Sequence, residues 1–347
     1  MRWSLNLERS RTTAIWLFAV AFLVVAMVIV GGATRLTGSG LSITEWKPVT
    51  GALPPLSDTG WLAEFQKYQA TPQYRQVNAG MALGDFKAIY WWEWTHRLLG
   101  RLVGVVFAVP FLALLALKRI PQRLVWRCWL ILGLGGLQGL VGWWMVASGL
   151  SKRVSVAPER LAGHLGLALV ILCACVWTGF EAWYGKARTA MDPSPRWRMA
   201  SWLLFALAFV QILLGALVAG NDAGLVYTDW PFMGGRLFPQ DYVAMGQGVW
   251  RSLLHSQAAV QFNHRIGAYL LFAASAAFAL AGSQSRVLVV PARSLGWLAF
   301  ILVLAQATLG VFTLRLSSPL ALSLAHQLGA VIVLTVLLIL AWRVRRN

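Results

Sequence analysis

Four of the five histidines recur at equivalent places in two segments of this 347-residue chain. Glu-Trp-Thr-His-Arg at 93–97 is echoed 168 residues later by Gln-Phe-Asn-His-Arg at 261–265, and His164-Leu-Gly is echoed 162 residues later by His326-Gln-Leu-Gly. Imidazole is a common ligand of transition metals, and two facing imidazoles can bind the two sides of a haem iron. The sequence therefore predicts two bis-histidine pairs of the kind that hold b-type haem in helix bundles, formed by His96 with His164 and by His264 with His326.

Other roles for these histidines explain the pattern less well. A single intramembrane histidine can simply hydrogen-bond a neighbouring helix, but four at repeat-equivalent places favour a shared ligand role. Zinc sites gather three or four ligands at short sequence spacing or add thiolates, and neither pattern occurs here. A proton relay in a transporter would bring more buried carboxylates than this sequence contains.

The residues beside the histidines differ between the two segments. Glu93 lies three residues before His96, one helical turn away on the same face, and its counterpart is Gln261. Only the first segment therefore retains a carboxylate able to move protons, although Glu93 could instead balance Arg97 at the membrane interface. Arg97 and Arg265 each follow a histidine, where they would either pair with a haem propionate or extend their charged ends to the interface.

The elements that must position these residues are membrane helices. Hydrophobic residues make up 58% of the chain and charged residues 12%, a balance typical of lipid surroundings. Strands of about ten residues with alternating polarity are absent, so the fold class is all-α integral membrane. Eight apolar runs are long enough to cross a bilayer, at about 14–32, 93–117, 124–147, 160–184, 199–220, 262–282, 294–314 and 321–342.

The basic residues indicate how these helices are oriented. The basic residues behind the net charge of +18 are spread along the chain, and many lie at the ends of spans. This distribution indicates that they orient the helices in the membrane rather than bind nucleic acid. Basic residues in short segments predict that both termini are cytoplasmic, and the long segments at about 33–92 and 221–261 then face outward. These basic residues are Arg2, Arg9, Arg11, Lys118, Arg119, Arg123, Arg127, Lys186, Arg188, Arg196, Arg198, Arg286, Arg293, Arg343, Arg345 and Arg346.

An internal repeat organises the eight spans. The segment 38–48 is echoed by 222–231 at a spacing of 184, with Gly40 matching Gly224 and Trp46 matching Trp230. The repeat predicts two four-helix bundles related by a pseudo-twofold axis, one in residues 1–190 and one in 191–347. At the spacing of 168, Gln138 and Gly142 also match Gln306 and Gly310. All four histidines then lie near the outer membrane face, in one layer.

Four longer motifs resemble those of a known family. They are Gly-Gly-Ala-Thr-Arg-Leu-Thr-Gly-Ser-Gly-Leu-Ser at 31–42, Glu-Trp-Lys-Pro-Val-Thr-Gly at 45–51, Phe-Gln-Lys-Tyr at 65–68 and Trp-Glu-Trp-Thr-His-Arg-Leu-Leu-Gly-Arg at 92–101. On these motifs the chain resembles the haem A synthases of cytochrome oxidase biogenesis from about residue 31 to 342. Some members carry a cysteine pair in the first outer loop, which this sequence lacks, so it looks more like the proteobacterial and mitochondrial branch.

The resemblance implies a specific activity and division of roles. It implies oxidation of the C8 methyl of haem O to a formyl group, giving haem A for terminal oxidases, in a bacterial inner membrane. It implies that His264 and His326 ligate a resident haem b, that His96 and His164 embrace the substrate haem, and that Glu93 is the catalytic carboxylate. Haem O synthase and oxidase assembly proteins are the implied partners. A membrane carrier that holds two haems and only transfers electrons is the alternative, but it gives no reason for the Glu93/Gln261 difference.

Overall fold

The computed structural model describes residues 9–185, 194–246 and 248–345, and its regular structure is helical. Within these residues, eight helices are long and apolar enough to cross a membrane, which confirms the predicted all-α membrane class. The chain is thus a multi-pass membrane protein. The helices are α1 (Arg11–Leu36), α2 (Asp58–Gln69), α3 (Pro72–Gln76), α4 (Leu83–Ala116), α5 (Gln122–Ala147), α6 (Pro158–Tyr184), α7 (Pro195–Gly220), α8 (Val249–His255), α9 (Gln257–Gln284), α10 (Val290–Arg315) and α11 (Leu320–Val344).

Local sequence sets where the spans begin. The side chain of Ser10 caps α1 by accepting a hydrogen bond from the amide of Thr13. Proline also fixes a backbone angle suited to a helix start, and its missing amide costs nothing in the first turn. In the described spans, prolines of this kind stand at or beside the first residue of α5, α6, α7, α10 and α11, as Pro121, Pro158, Pro195, Pro291 and Pro319.

The first of the two long segments predicted to face outward, residues 33–92 (the first outer segment), has more structure than the sequence predicted. It contains α2 and α3, and α4 begins at Leu83, ten residues before the expected start of its span. At 34 residues α4 is about 51 Å long, whereas the apolar core of a bilayer is about 30 Å thick. The projecting turns are stabilised by an aromatic cluster with α2, made of Trp61, Phe65, Tyr68, Phe86 and Tyr90.

The eight spans pack as two groups of four. In one group, α1 and α5 each contact α4 and α6; in the other, α7 and α10 each contact α9 and α11. The groups meet along α1, α6, α7 and α11, where the Gln327 side chain donates a 2.7 Å hydrogen bond to the carbonyl of Val28. The pseudo-twofold relation stays a prediction. The predicted boundary between residues 190 and 191 lies outside the described residues, as do Arg2, Lys186, Arg188 and Arg346.

Candidate functional site

The four repeated histidines lie on four different spans, α4, α6, α9 and α11. His164, His264 and His326 each follow the start of their helix by six or seven residues. His96 is thirteen residues into α4 because that helix projects beyond the others. At a rise of about 1.5 Å per residue, the three later histidines lie roughly 10 Å along their helices. This depth suits the predicted single layer.

The ring separation of the second pair is compatible with a two-ligand metal site. The ring centroids of His264 and His326 are 6.4 Å apart, and the ring planes cross at 81°. Two bonds from imidazole nitrogen to a metal of about 2.0 Å each, plus half of each ring, span roughly 6 Å. The separation therefore fits one metal ion between the two rings. In the first pair, His96 and His164 are close enough to interact electrostatically.

A glycine on the preceding span faces each histidine ring. A Cβ atom added at Gly31, Gly142 or Gly310 would lie 2.8 or 2.9 Å from the Cε1 atom of the ring, closer than such contacts allow, and one added at Gly215 would lie 3.1 Å away, a tight contact. Glycine at these positions therefore lets each helix approach its histidine ring closely. The pairs are Gly31 with His96, Gly142 with His164, Gly215 with His264, and Gly310 with His326.

Three of these glycines follow a glutamine by four residues, one helical turn. The amide nitrogen of Gln211 donates to the carbonyl of His264 at 2.8 Å and lies 3.0 Å from the Nδ1 atom of that ring. Gln306 makes the same two contacts to His326, at 2.6 and 3.0 Å. Gln138 donates to the carbonyl of His164 at 3.0 Å and lies 3.5 Å from its Nε2 atom.

Sequence reasoning found only part of this arrangement. The spacing of 168 related Gln138 and Gly142 to Gln306 and Gly310, but Gln211 with Gly215, and Gly31, were missed. The signal was present, because the spacing of 184 that relates Gly40 to Gly224 also relates Gly31 to Gly215. At that spacing the counterpart of Gln211 is Met27.

Glu93 is buried and accepts four hydrogen bonds. Its Oε2 atom accepts from the Ser42 hydroxyl and the Ile43 amide, each at 2.8 Å. Its Oε1 atom accepts from Nη2 and Nε of Arg97 at 2.7 and 3.1 Å. A carboxylate has about four lone-pair sites, so each site of Glu93 has a donor. Both sequence interpretations of Glu93 stay open, since an ion pair with Arg97 is present one turn from His96.

Gln261 occupies the matching position but donates hydrogen bonds to its outer segment, whereas Glu93 accepts them from its own. Its amide nitrogen donates to the carbonyls of Ala223 and Tyr227 at 2.8 and 3.1 Å, and its Oε1 atom accepts from Arg265 at 3.1 Å. The first outer segment thus presents donors to position 93, and the second presents acceptors to position 261. The Glu93/Gln261 difference therefore matches the hydrogen-bonding groups that each outer segment offers, since a carboxylate accepts and an amide NH₂ group donates.

The two arginines after the histidines hold the outer segments. Arg97 donates to the carbonyls of Ile43 and Glu45 at 2.7 and 2.8 Å. Arg265 donates to the carbonyls of Phe232 and Tyr227 at 2.8 and 3.1 Å. Their predicted contacts with haem propionates stay a prediction. Arg101, which was not predicted from the sequence, binds the first outer segment through the carbonyls of residues 47 and 48. Together with Arg97 it lines a cavity of about 320 Å³.

Comparison with known proteins identifies the family. Residues 14–338 match the model of the cytochrome oxidase assembly protein family. The chain belongs to this family. It is 56% identical over 342 residues to the haem A synthase of Caulobacter sp. strain K31, covering 99% of this chain and 98% of that protein. It is 55% identical to the haem A synthase of Caulobacter vibrioides over the same shares of the two chains. Identity to the haem A synthase of Rhodopseudomonas palustris strain BisA53 is 50% over 331 residues.

In this member of the cytochrome oxidase assembly protein family, the residues around the histidines fit a haem better than a zinc ion. Within residues 9–185, 194–246 and 248–345, no three His, Cys, Asp or Glu side chains gather as a metal-binding group. Each histidine pair supplies two imidazoles, and each ring rests on a glycine that keeps its neighbouring helix close. Two axial ligands without further protein donors suit a metal whose other ligands come from a macrocycle. The family membership confirms the resemblance found in the sequence.

Proposed function

We propose that this protein is a haem A synthase, an oxidoreductase that converts the C8 methyl group of haem O into the formyl group of haem A. The observation that carries the proposal is a two-pair histidine site, with a carboxylate beside one pair only, in a chain 56% identical to a haem A synthase over 99% of its length. Conversion of a methyl to a formyl group removes four electrons, which an electron acceptor outside this chain must take. It is described most simply as two hydroxylations followed by loss of water.

The proposal assigns a different task to each histidine pair. His264 and His326 would hold a resident haem b, which would supply one-electron transfer when bound. His96 and His164 hold the substrate, haem O. The assignment is supported by the ring separation of 6.4 Å in the second pair and by Glu93, one helical turn from His96. The two halves, residues 1–190 and 191–347, then carry the substrate site and the resident haem site.

Glu93 is proposed to take protons released at the substrate. Its four hydrogen bonds keep the carboxylate in one orientation, as a positioned base requires. The Ile43 amide is fixed by the backbone and Arg97 is held by two carbonyls, whereas the Ser42 hydroxyl can rotate. Proton uptake at Oε2 therefore requires Ser42 to turn away, so we propose Ser42 as a positioning residue.

The surroundings of the site complete the proposal. An apolar groove of about 370 Å³ lies where α1, α6 and α11 meet, and the Phe22 side chain is exposed along it. Leu172 lines the groove and comes eight residues after His164, so the groove begins about 12 Å from that histidine along α6. We propose this groove for the farnesyl tail of haem O. Both termini are proposed to be cytoplasmic in a bacterial inner membrane, with haem O synthase and oxidase assembly proteins as partners.

Pigment extraction tests the proposed function. The full chain is produced in cells that make haem O but no haem A, and the extracted haems are separated by chromatography. Formation of formyl-haem is the expected result. A carrier that only transfers electrons would return haem O and haem b unchanged, and that outcome would overturn the proposal.

Replacement of single histidines tests the assignment of the two pairs. His264→Ala should remove haem b from the purified protein, whereas His96→Ala should spare haem b and remove haem O. Loss of haem b from the His96→Ala variant, with haem O retained, would reverse the assignment.

A further inference from the structure

In three of the four helix pairs that carry the histidines, a glutamine of the preceding span binds the histidine carbonyl; the pair of α1 and α4 has no such glutamine. Each histidine of the second pair has a glutamine amide 3.0 Å from its Nδ1 atom. In the first pair, the Nδ1 atoms of His96 and His164 are buried and have no hydrogen-bond partner within the described part of the chain. Gln138 still binds the carbonyl of His164, but the helix before His96 carries Met27 in place of a glutamine. His96 is therefore the least supported of the four.

Met27 occupies the same place in its helix pair as the glutamines do in theirs. It lies four residues before Gly31, and its methyl group lies 3.3 Å from a Cβ atom added at Gly100, one turn after His96. The side chain of Gln211 likewise reaches Gly267, one turn after His264. A glutamine at position 27 would thus extend along the same path, towards the carbonyl and ring of His96.

The absent contact has a consequence for ligand strength. A metal-bound histidine normally has a partner for its second ring nitrogen, which fixes the ring and raises its basicity. Loss of such a partner typically weakens metal binding by about 10–100-fold. A site that takes in a substrate haem and releases a product haem needs a ligand that dissociates readily, whereas a resident haem needs the opposite.

We propose that Met27 is a positioning residue that leaves His96 a weak axial ligand, so that the first histidine pair exchanges its haem while the glutamine-supported second pair retains haem b. The inference rests on the proposed function, which assigns substrate to the first pair. It explains why the chain departs from its own repeat at this single glutamine position.

Haem release measured for each site tests this proposal. The full-length protein, purified in detergent with haem O and haem b bound, is mixed with excess apomyoglobin, and the haems transferred are identified by chromatography. Met27→Gln should slow release of haem O by about tenfold or more and leave release of haem b unchanged. Gln211→Met, the reciprocal change, should accelerate haem b release by a similar factor and leave haem O release unchanged.

A matched control and a separate readout keep the outcomes distinct. Met27→Leu keeps an apolar side chain and should release both haems at the wild-type rates. Release of haem O from Met27→Gln within twofold of wild type would overturn the proposal, as would an unchanged haem b rate in Gln211→Met. If the wild type forms no formyl-haem, the proposed function fails, but these release rates still decide whether Met27 weakens the first site.

Discussion

Replacement of Glu93 by Gln should free the first outer segment as well as remove a titratable group. The carboxylate joins α4 to that segment through Ser42 and Ile43, and it holds Arg97, which binds two further loop carbonyls. A glutamine at this position has one oxygen and one NH₂ group, so its NH₂ group would face either the donors of Ser42 and Ile43 or the donor groups of Arg97. Either the Ile43 amide or the Arg97 guanidinium would then lose its acceptor.

The size of this effect follows from burial. The Glu93 side chain is 3% exposed and that of Arg97 is 17% exposed. Removal of one partner of a buried ion pair costs about 3–5 kcal/mol. We expect the lower end, about 3 kcal/mol, because Arg97 keeps its two loop carbonyls. At about 1.4 kcal/mol for each factor of ten, the open form of the segment should become roughly a hundredfold more populated.

Limited trypsin digestion measures this opening. Lys67 and Arg75 are cleavage sites in the segment, and cleavage of a transiently open region follows the population of its open form. Glu93→Gln should therefore be cut roughly a hundredfold faster there than wild type. Ser42→Ala removes one hydrogen bond to the charged carboxylate, worth about 1.5 kcal/mol because the Ile43 amide and Arg97 still hold that group, and should be cut roughly tenfold faster.

Two outcomes separate the structural role of Glu93 from a chemical one. Cleavage of Glu93→Gln at the wild-type rate would refute the assignment of loop-holding contacts to this carboxylate. If Arg101→Ala, which removes two hydrogen bonds to the same segment, opens it and still forms haem A while Glu93→Gln forms none, the carboxylate itself is required. As a reciprocal control, Gln261→Glu should expose the second outer segment, because its carboxylate would face the carbonyls of Ala223 and Tyr227.

Two further predictions concern the ring contacts and the outer surface. Gly310→Val should displace the facing histidine and lower bound haem b at least tenfold, measured as haem per protein. Gly139→Val is the control, because no atom lies within 4 Å of a Cβ added there, and it should keep full haem. Equal haem in both variants would contradict the ring contact. Hydrogen bonds from Lys47 and Lys67 lower the pKa of Glu45 from 4.5 to about 2. Their stabilisation should be present above pH 4.5 and lost as the pH falls towards 2, seen as faster pepsin cleavage of the first outer segment, and Glu45→Gln should weaken this pH dependence.

The sequence predicted the membrane part of the fold well and the outer part less well. Long apolar runs and the bilayer thickness almost fix the spans, because a helix is the simplest way to bond each backbone group in lipid. The early start of α4 was missed because Phe86 and Tyr90 are buried by α2 rather than by lipid. Side chains in such a water-exposed cap follow packing between segments far apart in the chain, and a hydropathy pattern does not record that packing.

For the candidate site, the sequence predicted the four histidines but only part of the contacts around them. His96, His164, His264 and His326 were predicted because identical residue types recur at fixed spacings. The bracing glutamines are harder to recognise, because a glutamine or a glycine in a membrane helix has many possible roles. Their meaning depends on which helix lies beside which.

The sequence by itself determined the eight spans, the repeated histidines, the Glu93/Gln261 difference and the family resemblance, because composition and residue identity record these directly. Only the tertiary structure decided which partners those residues have. It placed donors around Glu93 and acceptors around Gln261, and it brought Met27 to the position held elsewhere by a glutamine. Hydrogen bonds and ring contacts depend on distances of about 3 Å between helices, and such distances exist only after the helices have packed.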